Sequence, residues 1–229
     1  MLKHKMFMDI EAISQTLMSN YYRYLTHASE EYVLKLLKRN NKLKNVERNN
    51  KIRISDYDLK VSNKLLDVQT SFNFHKYKDI RIDLLSAFNF KRKSLKEFPI
   101  KHLDLNSPEL LKKELTIYKY GKWFDKNLHG VIFLLFNVPR PNYESEETYQ
   151  SFIEKSVYKI YYLKRADLAK YLSDNLNQLN EIKVNDKKRN MIYESHNSAF
   201  LPLKLDVLIN LNCGNIFNDQ NELVLDFII

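Results

Sequence analysis

The chain is poor in cysteine and in glycine, and each shortage removes a class of chemistry. One cysteine, Cys213, in 229 residues leaves nothing for an internal disulfide framework or for a multi-cysteine zinc or iron–sulfur site. A reducing compartment, the cytoplasm of the parent cell or of a host, is the expected setting. The three glycines, at 121, 130 and 214, are too scattered for a phosphate-cradling loop, which sets aside P-loop ATPases, kinases and Rossmann dehydrogenases. No Gly-x-Ser-x-Gly elbow is present for a serine nucleophile. Long apolar runs are also missing. The longest, Val131–Phe136, is far short of the ~20 residues that span a bilayer, so no membrane partner is expected. The opening MLKHKMFMDI meets Asp9 without an extended apolar stretch, so no secretory leader is expected either. The six histidines show no i, i+4 pair, which argues against a histidine-built metal site. The remaining chemistry rests on carboxylates.

What the chain does contain is core material and positive charge. Hydrophobic residues make up 44% and aromatics 13%, enough to fold as a packed domain rather than a disordered tail. The formal net charge is +9 and the pI is near 9.3. That charge is unevenly placed: residues 1–100 carry 20 Lys/Arg against 11 Asp/Glu, whereas residues 101–229 carry 17 of each. The surplus thickens in Lys35, Lys38, Arg39, Lys42, Lys44, Arg48, Lys51 and Arg53, and recurs in Lys91, Arg92, Lys93, Lys96 and Lys101. Compositional bias toward Lys and Asn, with 28 and 24 copies, would act on both halves alike and does not account for the asymmetry. A polyanion is the natural partner, nucleic acid first.

Patterning predicts a mixed α/β domain with one central sheet flanked by helices. Residues 8–27 have helical character, and Ser29 reads as the N-cap of a second helix, Glu30–Arg39, with apolar residues at Tyr32, Val33, Leu36 and Leu37. After the polar stretch Asn40–Asn50, strand alternation appears at Ile52, Ile54, Leu59 and Val61. A turn at Ser62–Lys64 follows, then strands over Leu65–Phe74 and Asp79–Phe88. Further on, Asn106–Glu109 reads as a helix start, Val131–Val138 as a buried strand, Val157–Leu163 and Arg165–Leu176 as strand then helix, with short elements around Met191–Tyr193, Leu203–Leu211 and Leu223–Ile228. The chain is read as a single domain, 1–229: a helical extension over 1–28, a core over 29–138, and a C-terminal part over 139–229 that completes the fold or serves specificity or dimerisation.

The most informative stretch is Ile54–Ser71, where two strands meet at a short turn. Asp58 lies on the first, Asp67 on the second, and Gln69 follows at i+2 on the face of Asp67. Asp56 is an alternative to Asp58, being on the same face. Two converging carboxylates suit a hard divalent cation, Mg²⁺ or Mn²⁺, which takes oxygen ligands and leaves positions for phosphate and water. The i+2 amide then faces the same water.

These residues resemble the core pattern of the PD-(D/E)xK, restriction-endonuclease-like nuclease superfamily: an acid, about ten residues, then acid-x-Lys across a β-hairpin. Asp58 matches the first acid, Asp67 the second, and Gln69 the lysine position, within Leu66-Asp-Val-Gln-Thr-Ser71. The pattern departs from the family where Gln replaces Lys and where no Pro precedes Asp58. The resemblance implies a restriction-endonuclease-like core and metal-dependent phosphodiester hydrolysis in DNA, or in RNA. Glu31 or Glu30 on the upstream helix would add an acid to the metal site, and a homodimer is the usual device for cutting two strands. Lys35, Lys38, Arg39, Lys42, Lys44, Arg48, Arg53, Arg81, Lys91, Arg92 and Lys93 would hold the nucleic-acid backbone. The strand Asp79–Asp83 would flank the site, with Arg81 on a phosphate or on Asp67, and His75 close by. Two alternatives stand beside the nuclease: a catalytically silent nucleic-acid-binding protein on the same sheet, and an assembly protein whose basic half docks on an acidic partner.

Overall fold

A computed structural model of the chain describes residues 2–39, 43–49, 57–87, 118–120, 127–171, 174, 193–194, 198–210 and 216–217. They form a mixed α/β fold with two sheets rather than one. The chain begins with a single long helix, α1 (Leu2–Arg39), then a hairpin-like run of β1 (Val46–Arg48), β2 (Leu59–Val61) and β3 (Lys64–Ser71). A one-turn helix, α2 (Asn73–Tyr77), leads to β4 (Asp79–Ala87), followed by β5 (Tyr118–Tyr120) and β6 (Leu128–Phe136). Helix α3 (Glu146–Ser156) and β7 (Val157–Lys164) come next, then β8 (Tyr193–Glu194), β9 (Ser198–Lys204), a short helix Leu205–Asn210 and β10 (Ile216–Phe217).

The larger sheet has the order β1-β2-β3-β6-β7-β10. β2 is antiparallel to both its neighbours, β6 lies parallel to β3, and β7 runs antiparallel to β6. Every residue of β6 from Gly130 to Phe136 is buried, as befits a strand covered on both faces. One face packs Leu59, Val61, Leu66, Val68, Ile132, Leu134, Phe136, Ile160 and Tyr162 against α1 and α3. Helix α1 supplies Leu25, Ala28, Tyr32, Val33, Leu36 and Leu37 at helical spacing, and α3 supplies Tyr149 and Ile153 one turn apart. The opposite face carries Val131, Phe133, Leu135, Tyr161 and Leu163, also buried, and Asp67 among them.

Three expectations are corrected. The helices predicted over 8–27 and 30–39 are one uninterrupted helix, and Ser29 is no cap. Its Oγ donates to the Leu25 carbonyl at 2.7 Å, one turn back inside the helix. The strand after β3 does not flank it: β4 joins a second, antiparallel sheet ordered β5-β4-β9-β8, and the neighbour of β3 is β6. Period-two alternation fixes which residues share a face, with Ile80 and Ile82 buried and Arg81 exposed, but not which strand lies alongside. His75–Lys78, expected as a simple connection, belongs to α2 and to its cap, where Lys78 adopts a left-handed conformation (φ 54°) and turns the chain toward β4. The C-terminal part contributes to both sheets, β7 and β10 to the first, β8 and β9 to the second. The predicted elements at Ile52–Ile54, Asn106–Glu109 and Leu223–Ile228, with Asp56 and Phe88, lie outside the described residues. Among those residues no helix is long and apolar enough to cross a membrane.

Gly130 is required by packing. A Cβ there would lie 2.6 Å from the Leu163 carbonyl oxygen and 2.6 Å from the Tyr162 ring, across the β6–β7 ladder. Gly130→Ala should therefore destabilise the fold by roughly 1–3 kcal/mol through overpacking, read as a lower urea midpoint with an unchanged slope.

Burial pushes the Tyr162 phenol well above its ordinary range, with the Asp167 charge adding to it, and burial does the same to Tyr32, helped by Glu154. A phenol whose folded pKa is raised stabilises the fold fully below its unfolded pKa and loses that contribution as pH rises past about 10. Stability should accordingly fall above about pH 10, and Tyr162→Phe should lessen that fall. At neutral pH the substitution should cost little, because the buried Tyr162 Oη has no hydrogen-bond partner among the described residues. Urea titrations at pH 7 and above pH 10 check both outcomes.

Candidate functional site

The site is built by the turn between β2 and β3. Ser62 holds a left-handed backbone (φ 55°) at the first position of the Ser62-Asn63 loop, and its Oγ donates to the Lys44 carbonyl. The tight loop sets the pairs Val61↔Lys64, Lys60↔Leu65 and Leu59↔Leu66. One step beyond the last of these pairs come Asp58 and Asp67.

Asp58 brackets Asp67 along the backbone. Its N–H donates to the Leu66 carbonyl at 2.8 Å, and its Oδ2 accepts the N–H of Val68, also at 2.8 Å. Because β2 begins only at Leu59, the Val68 N–H meets a carboxylate where the ladder would otherwise supply a carbonyl. The segment before Asp58 is held by Asn49, whose N–H donates to the Asp58 carbonyl and whose Nδ2 donates to that of Tyr57. Asp67 is 1% exposed, and the Gln69 Nε2 donates to its Oδ2 at 2.9 Å. The i+2 spacing seen in the sequence thus becomes a direct contact, and Gln69 holds Asp67 in place.

Glu31, expected as a third acid, does not join them: among the described residues no three His, Cys, Asp or Glu side chains gather in one group. Its neighbour Glu30 is 8% exposed and is engaged by Arg48, whose Nη2 and Nε lie 2.7 and 2.8 Å from Glu30 Oε2. That ion pair fastens β1 to α1. Arg48 is therefore spoken for within the fold instead of being displayed to a phosphate. Arg81 lies on β4 in the second sheet, its Cα opposite Pro202. Lys35, Lys38, Arg39 and Lys44 are exposed near the C-terminal end of α1 and the start of β1, where Lys38 and Arg39 also suit the negative end of the helix dipole. Lys42, Arg53, Lys91, Arg92 and Lys93 lie outside the described residues.

Sequence reasoning missed the Glu30–Arg48 pair and the role of Asn49. Both depend on β1 lying over α1 and beside β2, which no local spacing announces. The aromatics at Phe72 and Phe74 pack from the turn after β3 and from α2, although the predicted strand Leu65–Phe74 would have carried them. Phe72 stacks on Phe136 at 4.3 Å, and the buried Phe74 stacks on Tyr158 at 6.1 Å.

Comparison of the chain with protein-family models, with curated proteins and with solved structures gave no match.

Removing the acceptor for Val68 separates structure from chemistry at Asp58. Asp58→Ala leaves that N–H without its partner and should cost about 1–3 kcal/mol. Asp58→Asn keeps an oxygen in place and should recover at least half of that loss. Urea denaturation of the two variants tests the pairing.

Proposed function

We propose that the chain is a metal-dependent nuclease of the restriction-endonuclease-like kind, hydrolysing phosphodiester bonds in DNA or RNA. The observation that carries this reading is the bracketing of Asp67 by Asp58: a hairpin following a helix, with one carboxylate anchored to the residue next to a second, buried carboxylate. An oxygen-only donor pair fits Mg²⁺ or Mn²⁺ better than a softer metal. In this reading Asp58 and Asp67 hold the cation, and Gln69 fixes Asp67 and orients the attacking water. A bound cation would supply an acidified water and offset charge developing on the phosphate. The exposed Lys35, Lys38, Arg39 and Lys44 draw in the phosphate backbone without reading sequence.

A second reading, a nucleic-acid-binding protein without cleavage, is favoured by a specific feature. The Asp58 carboxylate already serves the Val68 N–H and the Asp67 carboxylate already accepts from Gln69, so both acids also have work within the fold.

Purified protein incubated with plasmid and with single-stranded DNA and RNA, with and without Mg²⁺ or Mn²⁺, separates the two. The nuclease reading expects metal-dependent products, reduced by about 100-fold or more in Asp67→Asn, since a metal contributes several kcal/mol to such a step. Salt-sensitive binding with no products at any metal concentration would leave the silent binder.

A further inference from the structure

The end of the larger sheet at which β3 and β6 finish carries a surface that the nuclease reading does not use. Among the described residues four large apolar side chains are exposed, and three belong to this end: Tyr77 on α2 at 38%, Val138 just past β6 at 37%, and Tyr158 at the start of β7 at 49%. The three segments are tied together. His75 Nδ1 lies 2.8 Å from the Asn137 carbonyl, Lys78 Nζ donates to Asn137 Oδ1, and Phe74 stacks on Tyr158.

Each ring here has a lysine over it. Lys76 Nζ lies 5.1 Å from the centre of Tyr77, Lys78 Nζ 5.1 Å from Phe74, and Lys159 Nζ 5.2 Å from Tyr158. The contributing stretches 72–78, 137–141 and 155–159 contain no acidic residue; the nearest acids in sequence are Asp79 and Glu154. Exposed apolar rings at this density mark a contact surface. A protein partner fits poorly, because the cores of protein interfaces are depleted in lysine. A duplex fits poorly as well, because its bases are stacked on one another and offer no face to a tyrosine.

We propose that Tyr77 and Tyr158, with Lys76, Lys78 and Lys159, form a stacking platform for single-stranded nucleic acid. Bases lie on the tyrosines and the lysines take the phosphates. The proposal rests on the nuclease reading only in naming the strand such an enzyme would receive. Asp67 lies four residues before the end of β3, roughly 13 Å at the rise of a strand.

The test is fluorescence anisotropy of a labelled oligothymidylate, about 16 nucleotides long, with the full chain in EDTA, where no cleavage can occur. Wild type should bind it, and a blunt duplex should compete weakly. Tyr77→Ala and Tyr158→Ala should each weaken binding roughly ten-fold or more, while Tyr158→Phe, which keeps the ring, should bind as wild type. Lys76→Gln and Lys159→Gln, which leave both rings, should each lower the salt dependence by roughly 0.7 in log–log slope. No binding of oligothymidylate, equal competition by the duplex, alanine variants that bind as wild type, or preference for a poly-glutamate peptide would each overturn the proposal. The same chain with Mg²⁺ reports cleavage separately, so binding without products would retain the platform and reject the enzyme.

Discussion

Strand β3 is bonded along both edges, to β2 over its first residues and to β6 along nearly its whole length, and the rest of the structure depends on that double pairing. The parallel partner demands a crossover connection, which the chain makes by leaving β3 through α2 and passing through β4 and β5 before it returns as β6. The antiparallel partner is short, and its late start is what brings Asp58 onto the Val68 N–H. Side-chain alternation along β3 then sends Leu66 and Val68 into the core beneath α1 and α3, and Asp67 and Gln69 to the other face. A carboxylate enters the interior because its strand cannot rotate without exposing two core residues.

Burying that carboxylate is costly unless it is hydrogen-bonded. The Gln69 amide meets part of the need, and meets it from the same strand, so the two side chains move together if β3 shifts. Arg48 does the comparable service for Glu30 on the helix side. The positive surplus of the N-terminal half therefore divides in two. Some of it neutralises acids inside the fold, and much of the remainder, Arg23, Lys35, Lys38, Arg39, Lys44, Lys76, Lys78 and Arg81 among the described residues, faces solvent. The excess charge is a weaker index of polyanion binding than its total suggests, and its exposed fraction is the relevant quantity.

What could be read from the sequence follows from locality. The β2–β3 hairpin, the buried strand β6 and the passage from β7 into the helical residues 165–171 were legible because each is specified by residues within about ten positions of one another. The i+2 relation of Asp67 and Gln69 was legible for the same reason. Helix α1 was split in two because Ser29 is a good cap residue in isolation, whereas its hydroxyl turns back to Leu25. The second sheet was missed because β4 has the alternation of a flanking strand and only its pairing with β9 reveals otherwise. The platform of Tyr77 and Tyr158 was invisible for a stronger reason: its rings come from α2 and β7, which meet only once β3, β6 and β7 are laid side by side.

The claim on which the functional account turns is that Asp58 and Asp67 share one divalent cation. The most direct measurement is Mn²⁺ binding followed by electron paramagnetic resonance on the intact chain, beside Asp67→Asn. The account predicts one bound Mn²⁺ per chain, displaced by Mg²⁺ and absent in the variant. A variant that binds Mn²⁺ as the wild type does, or a wild type that binds none at millimolar metal, would contradict it.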